Sequence, residues 1–215
     1  MKELRITLIS DGSSDRALLP ILRWVLKEQG ASLPLRPEWA DTRLMRKSNP
    51  KLADKIYWGL QSFPCDILFV HRDAENGVPM DRKREVQAAL GQVGKFEIIP
   101  PAIVVVPIRM TEAWLLFNES AIREAAGNPS GSIPLTLPSL SQLESLPDPK
   151  STLYELLKLA SELPPRRLRK FPVGKNIHRL ADLLDEFSAL RQLSAFRDLE
   201  SEVRSLVDEH GWNQS

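Results

Sequence analysis

Four carboxylates stand where apolar runs give way to turns, and no other residues of this chain are as well placed for chemistry. Asp11 and Asp15 lie in the run ISDGSSD; Asp73 and Glu75 lie in VHRDAEN. Residues two apart in extended chain project to the same side, so Asp73 and Glu75 form a like-charged pair. Such a pair is costly unless a cation neutralises it. A hard divalent ion, Mg²⁺ or Mn²⁺, suits this group, because it takes carboxylate oxygens and completes its shell with water and phosphate. Each piece also has a plain reading. Ser13 or Ser14 can cap a helix whose dipole Asp15 complements, and an acidic turn after a strand is common. The combination is what points to metal-assisted phosphoryl chemistry.

The elements that must position these residues are legible in the hydrophobic pattern. Residues 4–10 read as a buried strand ending at Asp11-Gly12. Leu18, Leu19, Ile21, Leu22, Val25 and Leu26 then mark one stripe of a helix. Residues 35–40 suggest a short second strand. A helix is expected from Asn49-Pro50 to Phe63, where Pro64 stops it. Ile67–Val70 is a continuous apolar run of the kind found in a central parallel strand. Residues 80–93 read as a helix and residues 97–106 as a strand interrupted by Pro100-Pro101. This alternation predicts an α/β fold, a mainly parallel sheet flanked by helices. Parallel strands bring their carboxyl ends to one edge, where ligands bind. The texture changes after Pro107, so residues 1–107 are read as the α/β core and residues 108–215 as a mostly helical extension packed on it.

The bulk composition adds bounds. Of 215 residues, 42% are hydrophobic, enough for a real core, and 29 basic against 28 acidic residues give a net charge of +1. A nucleic-acid surface must therefore come from local clustering. Arg166, Arg167, Arg169, Lys170 and Lys175 form the one such cluster and are candidates for phosphate contact, with a solvated basic loop as the alternative. His71 lies two before Asp73 on the same strand face and could tune the site, although a packed strand histidine is the commoner case. The single cysteine, Cys65, and the short apolar N-terminal run fit a cytoplasmic protein with no membrane span. No Gly-x-x-x-x-Gly-Lys run occurs, which excludes a P-loop. A haloacid-dehalogenase-type phosphatase would need Asp-x-Asp after the first strand, where Gly12-Ser13 follows Asp11.

Strand, acid-Gly-x-x-Asp, helix, and later strand-Asp-x-acid resembles the TOPRIM domain of topoisomerases, primases and OLD-type nucleases. More closely, ISDGSSDRALLPILRWVL, VHRDAENG, VPIRMTEAWLLFN, DPKSTLYELL and SAFRDLESEV look like a bacterial TOPRIM-like family of unassigned function, often encoded beside OLD/AAA-type ATPases in phage-defence loci. That resemblance covers nearly the whole chain. It implies a metal-dependent nuclease, acting on DNA or RNA, with Asp73 and Glu75 as metal ligands. Asp11 falls where TOPRIM domains carry a glutamate acting as acid/base or ligand. Asp15 and Glu112 would complete the shell, Glu112 being the acid of the E-x-W segment. Arg109, just before it, is a candidate phosphate contact, with a salt bridge as the alternative; Lys150, in the DPK segment, is a candidate to reach the cleft, with a helix-start residue as the commoner reading. Asp11 is one methylene shorter than the usual glutamate, and Glu75 one longer than the usual aspartate. The competing expectation is a non-catalytic TOPRIM-like module that binds a nucleotide, a nucleic acid or a partner ATPase.

Overall fold

The computed structural model describes residues 3–74 and 77–214. Four strands, β1 (Leu4–Ile9), β2 (Leu35–Ala40), β3 (Ile67–His71) and β4 (Ala102–Val105), form one sheet in the order β2-β1-β3-β4. All three pairings are parallel, with Ile9 abreast of Ala40 and Val70, and His71 abreast of Val105. From β1 the chain steps outward to β2, then returns across β1 to β3. The order thus reverses between β1 and β3, whose carboxyl ends flank the crevice where such sheets bind ligands. Pro37 is accommodated because β2 is an edge strand. β4 is shorter than residues 97–106 suggest. Pro100 and Pro101 have no N–H to offer a ladder, so the strand begins at Ala102.

Crossover helices cover both faces. α1 (Leu18–Glu28) buries Leu18, Ile21, Leu22, Val25 and Leu26 on one face, and α2 (Leu52–Ser62) and α3 (Pro79–Val93) lie on the other. Gly59 lets α2 approach closely: a Cβ there would sit 2.6 Å from the Ile9 Cδ1.

The remaining helices are α4 (Glu119–Ala125), α5 (Pro149–Ala160), α6 (Pro165–Leu168), α7 (Val173–Leu183) and α8 (Ser194–Glu209). They do not build a second core. Leu153, Ile177, Phe196 and Val203 join Ile6, Leu8 and Phe69 in one continuous buried cluster on the α1 face. Trp114 is fully buried and meets Phe196 edge-on at 5.4 Å. An aromatic pair of this size contributes about 0.5–1.5 kcal/mol beyond its burial. Among the described residues, no helix is long and apolar enough to cross a membrane.

Candidate metal centre

Strand parity decides which side chains meet at the carboxyl edge. In β3, Ile67 and Phe69 face α1 and the helical extension, whereas Leu68 and Val70 face α2 and α3. The chain stays laddered past the strand, with the Arg72 N–H donating to the Val105 carbonyl and the Ala74 N–H to the Pro107 carbonyl. His71 and Asp73 therefore project toward α1, and Arg72 toward α2. In β1, Leu8 shares the α1 side and Ile9 the α2 side, which carries Asp11 to the α2 side as well.

On the α1 side, a 3₁₀ turn over Ser13–Ala17 leads into α1 and buries Asp15, which is 6% exposed. Its Oδ2 accepts the Gly12 N–H at 2.9 Å, so Asp15 does serve the helix start, but Gly12 rather than Ser13 or Ser14 occupies the cap. The same carboxylate also serves the cluster, its Oδ1 lying 3.8 Å from the His71 Nε2. The Asp73 Oδ1 lies 3.2 Å from that Nε2 and accepts the Thr111 N–H at 3.1 Å. His71 is 2% exposed, and its Nδ1 is 3.1 Å from the Val105 carbonyl oxygen. A carbonyl only accepts, so Nδ1 carries the hydrogen and Nε2 faces the two carboxylates and the Thr111 hydroxyl, 3.3 Å away. One donor atom each from Asp15, His71 and Asp73 lies within 4.8 Å of the others.

Thr111 and Glu112 enter from a second 3₁₀ turn, Thr111–Leu115, anchored by Trp114 in the core. Arg109, just before it, has a left-handed backbone at φ 71°, which a non-glycine residue adopts only under local constraint. Glu112 is 3% exposed, and its Oε1 has no hydrogen-bond partner among the described residues. The Lys150 ammonium is 3.9 Å from that oxygen. Burial pushes the Glu112 carboxyl above its ordinary range, and Asp73 and Asp15 push in the same direction. Burial alone would lower the His71 imidazole; the Asp73 hydrogen bond and the charges of Asp73 and Asp15 outweigh it and raise it. Acids crowd a buried imidazole here, and a buried carboxylate oxygen lacks a donor. A divalent cation fits both features, through a donor set that includes nitrogen as well as oxygen.

The predicted site residues are thus only partly brought together. Asp15 and Asp73 share the cluster, and Glu112 is coupled to it electrostatically. Asp11 does not join it. Its Oδ1 is 2.5 Å from the Lys55 Nζ and its Oδ2 2.7 Å from the Arg72 Nη1, on the other side of the sheet. Glu75 lies outside the described residues. Arg166 and Arg167 are exposed on α6, Arg169 and Lys170 follow it, and Lys175 is exposed on α7; none forms an ion pair with a described residue. His71, weighed above as packing, occupies the middle of the group. Its shared parity with Asp73 was the available signal; Thr111 gave none. No protein-family model, curated protein or solved structure matches the chain.

Proposed function

We propose that this protein is a divalent-cation-dependent phosphodiester hydrolase acting on nucleic acid, with Asp15, His71 and Asp73 holding the ion. One observation carries the reading: three donor atoms from two adjacent strand ends converge within 4.8 Å at the reversal point of the sheet. A bound divalent ion supplies Lewis-acid polarisation of a phosphoryl oxygen and lowers the pKa of a coordinated water. The chain's own groups have distinct tasks. Asp15 and Asp73 provide negative charge, His71 is fixed in one tautomer by the Val105 carbonyl, and Thr111 orients Asp73 through its backbone N–H. Glu112, held toward its protonated form by burial, is suited to exchange a proton at this edge. Lys150, half-exposed beside it, can meet a phosphate.

Nucleic acid as substrate, an ATPase partner and a role in phage defence come from the TOPRIM-like resemblance, and a cytoplasmic location from the single cysteine and the short apolar N-terminal run; the exposed Arg166 and Arg167 of α6 support only the nucleic-acid part. A second reading, a binding module without catalysis, is favoured by Asp11. The residue at the TOPRIM acid/base position has both oxygens engaged by Lys55 and Arg72.

Purified protein is expected to nick plasmid DNA or cleave RNA when Mn²⁺ or Mg²⁺ is added, and Asp73→Ala to abolish this. Cleavage that persists in both Asp73→Ala and Asp15→Ala would defeat the enzyme reading. Metal binding without cleavage of either substrate would select the binding module.

A further inference from the structure

Mg²⁺ is the ion that a TOPRIM-like resemblance implies, yet the donors that converge here are not all oxygen. We infer that the centre, through its His71 nitrogen, selects a first-row transition ion of the Mn²⁺ class over Mg²⁺. This rests on the cation site proposed above and names its occupant.

Orientation is the first support. A metal-bound histidine almost always donates its other ring N–H to a carbonyl or carboxylate, which fixes the ring and its tautomer. The His71 Nδ1 sits 3.1 Å from the Val105 carbonyl oxygen, and the two residues are abreast in the β3–β4 ladder. The arrangement is therefore held by backbone register rather than by a mobile side chain. It leaves Nε2 directed at the carboxylates.

Spacing is the second. Ligands about 2.1 Å from a common ion lie about 3.0 Å apart at right angles and about 3.4 Å apart at tetrahedral angles. The Nε2 separations from the Asp73 Oδ1 and the Asp15 Oδ1 are 3.2 and 3.8 Å. Both lie within the span of about 4.2 Å that two ligands of one ion can reach, and all three donors lie within 4.8 Å of one another.

Ligand chemistry is the third. Mg²⁺ dehydrates reluctantly and favours oxygen donors, whereas imidazole suits transition ions. With carboxylates in the majority and no cysteine in the group, the set suits a carboxylate-binding transition ion such as Mn²⁺, which also takes an imidazole nitrogen more readily than Mg²⁺ does. Independently of the three donors, the Glu112 Oε1 is buried without a hydrogen bond among the described residues and is electrostatically coupled to Asp73 and Asp15. It lies outside the group of donors within 4.8 Å of one another, and is available as acceptor for a coordinated water.

The test uses the full-length protein freed of metal by chelation. Mn²⁺ is titrated while the free aquo-ion signal is followed by electron paramagnetic resonance, and Mg²⁺ is then added as competitor. Displacement of Mn²⁺ should need an excess of about 100-fold or more. Electron spin-echo modulation of the Mn²⁺-loaded wild type should show a directly bound ¹⁴N, a readout that needs no variant. His71→Gln, which replaces the nitrogen donor with an amide oxygen, should lose that modulation and weaken Mn²⁺ by about 10–100-fold, with a smaller effect on Mg²⁺. Equal competition by Mg²⁺, or bound Mn²⁺ without nitrogen modulation, overturns the inference while leaving a cation site in place. Absence of any Mn²⁺ or Mg²⁺ binding overturns the cation reading of the site as well.

Discussion

The two sides of a single sheet edge handle acidic residues in opposite ways. Toward α2 and α3, Asp11 is bridged by Lys55 and Arg72, and Glu85 by Arg72 and Arg82, all at 2.5–3.3 Å. Each carboxylate there has its cations, and the Asp11 side chain is 44% exposed. Toward α1 and the extension, Asp15, Asp73 and Glu112 gather around His71, with the Lys150 ammonium 3.9 Å from Glu112, and three of the four are buried. Neighbours in sequence, such as Asp11 and Asp15, thus belong to different electrostatic regimes. Charges balanced by Lys and Arg at the surface are ordinary structure, worth little. Charges crowded in the interior favour the protonated form of the imidazole between them, a role that a divalent cation would take over.

Four perturbations would break or sharpen this contrast. The largest concerns metal-dependent stability. At a concentration about 100 times Kd, a bound ion adds about 2.7 kcal/mol, or roughly 5–10 °C in Tm for a chain of this size. Calorimetry should show that rise for wild type with Mn²⁺ and none for Asp73→Ala. Asp11→Asn should keep it in full, and a lost response there would move the site to the α2 side.

Next in size is Glu112→Gln. Removing a buried charge whose Oε1 lacks a hydrogen bond among the described residues should stabilise the metal-free protein by about 1–2 kcal/mol near neutral pH, read by urea denaturation. Metal-induced stabilisation should shrink in the same variant.

The pH dependence of the metal-free protein comes third. The His71 pKa is raised in the folded state despite burial, by Asp73 and Asp15. Its contribution is fully present below the unfolded value of about 6.5 and is lost as pH climbs through the higher folded value. Stability should therefore fall with rising pH above about 6.5, and His71→Gln should flatten that slope. Glu112, also raised, adds the same sign at lower pH, starting from the ordinary glutamate range. The smallest effect belongs to the α2 side. Arg72→Gln should cost no more than about 1 kcal/mol, and the metal response should be unchanged.

Much of the frame was legible because its signals are local. The β1–turn–α1 unit and the apolar β3 run show in hydrophobic period, and the parallel arrangement follows from the alternation of elements. The weakly signalled strand at 35–40 is present as β2. The site was less legible, for a specific reason. β3 is buried on both faces, so its sequence cannot say which parity looks toward the extension. Asp11 was drawn into the cluster because it ends a strand, while pleating sends it to the opposite side. His71 shares a parity with Asp73, but its partner Val105 and the donor Thr111 come from distant segments that only the folded chain brings close. Trp114 meeting Phe196 is another long-range contact of this kind. Pro100-Pro101, visible in the sequence, shortens β4 in a way the apolar run around it conceals.

The most direct test is a crystal of the protein soaked in Mn²⁺ and measured for anomalous scattering. A peak within about 2.0–2.4 Å of the Asp15 and Asp73 carboxylates and the His71 Nε2 is predicted. A peak at Asp11 instead, or none near the carboxyl ends of β1 and β3, would contradict it.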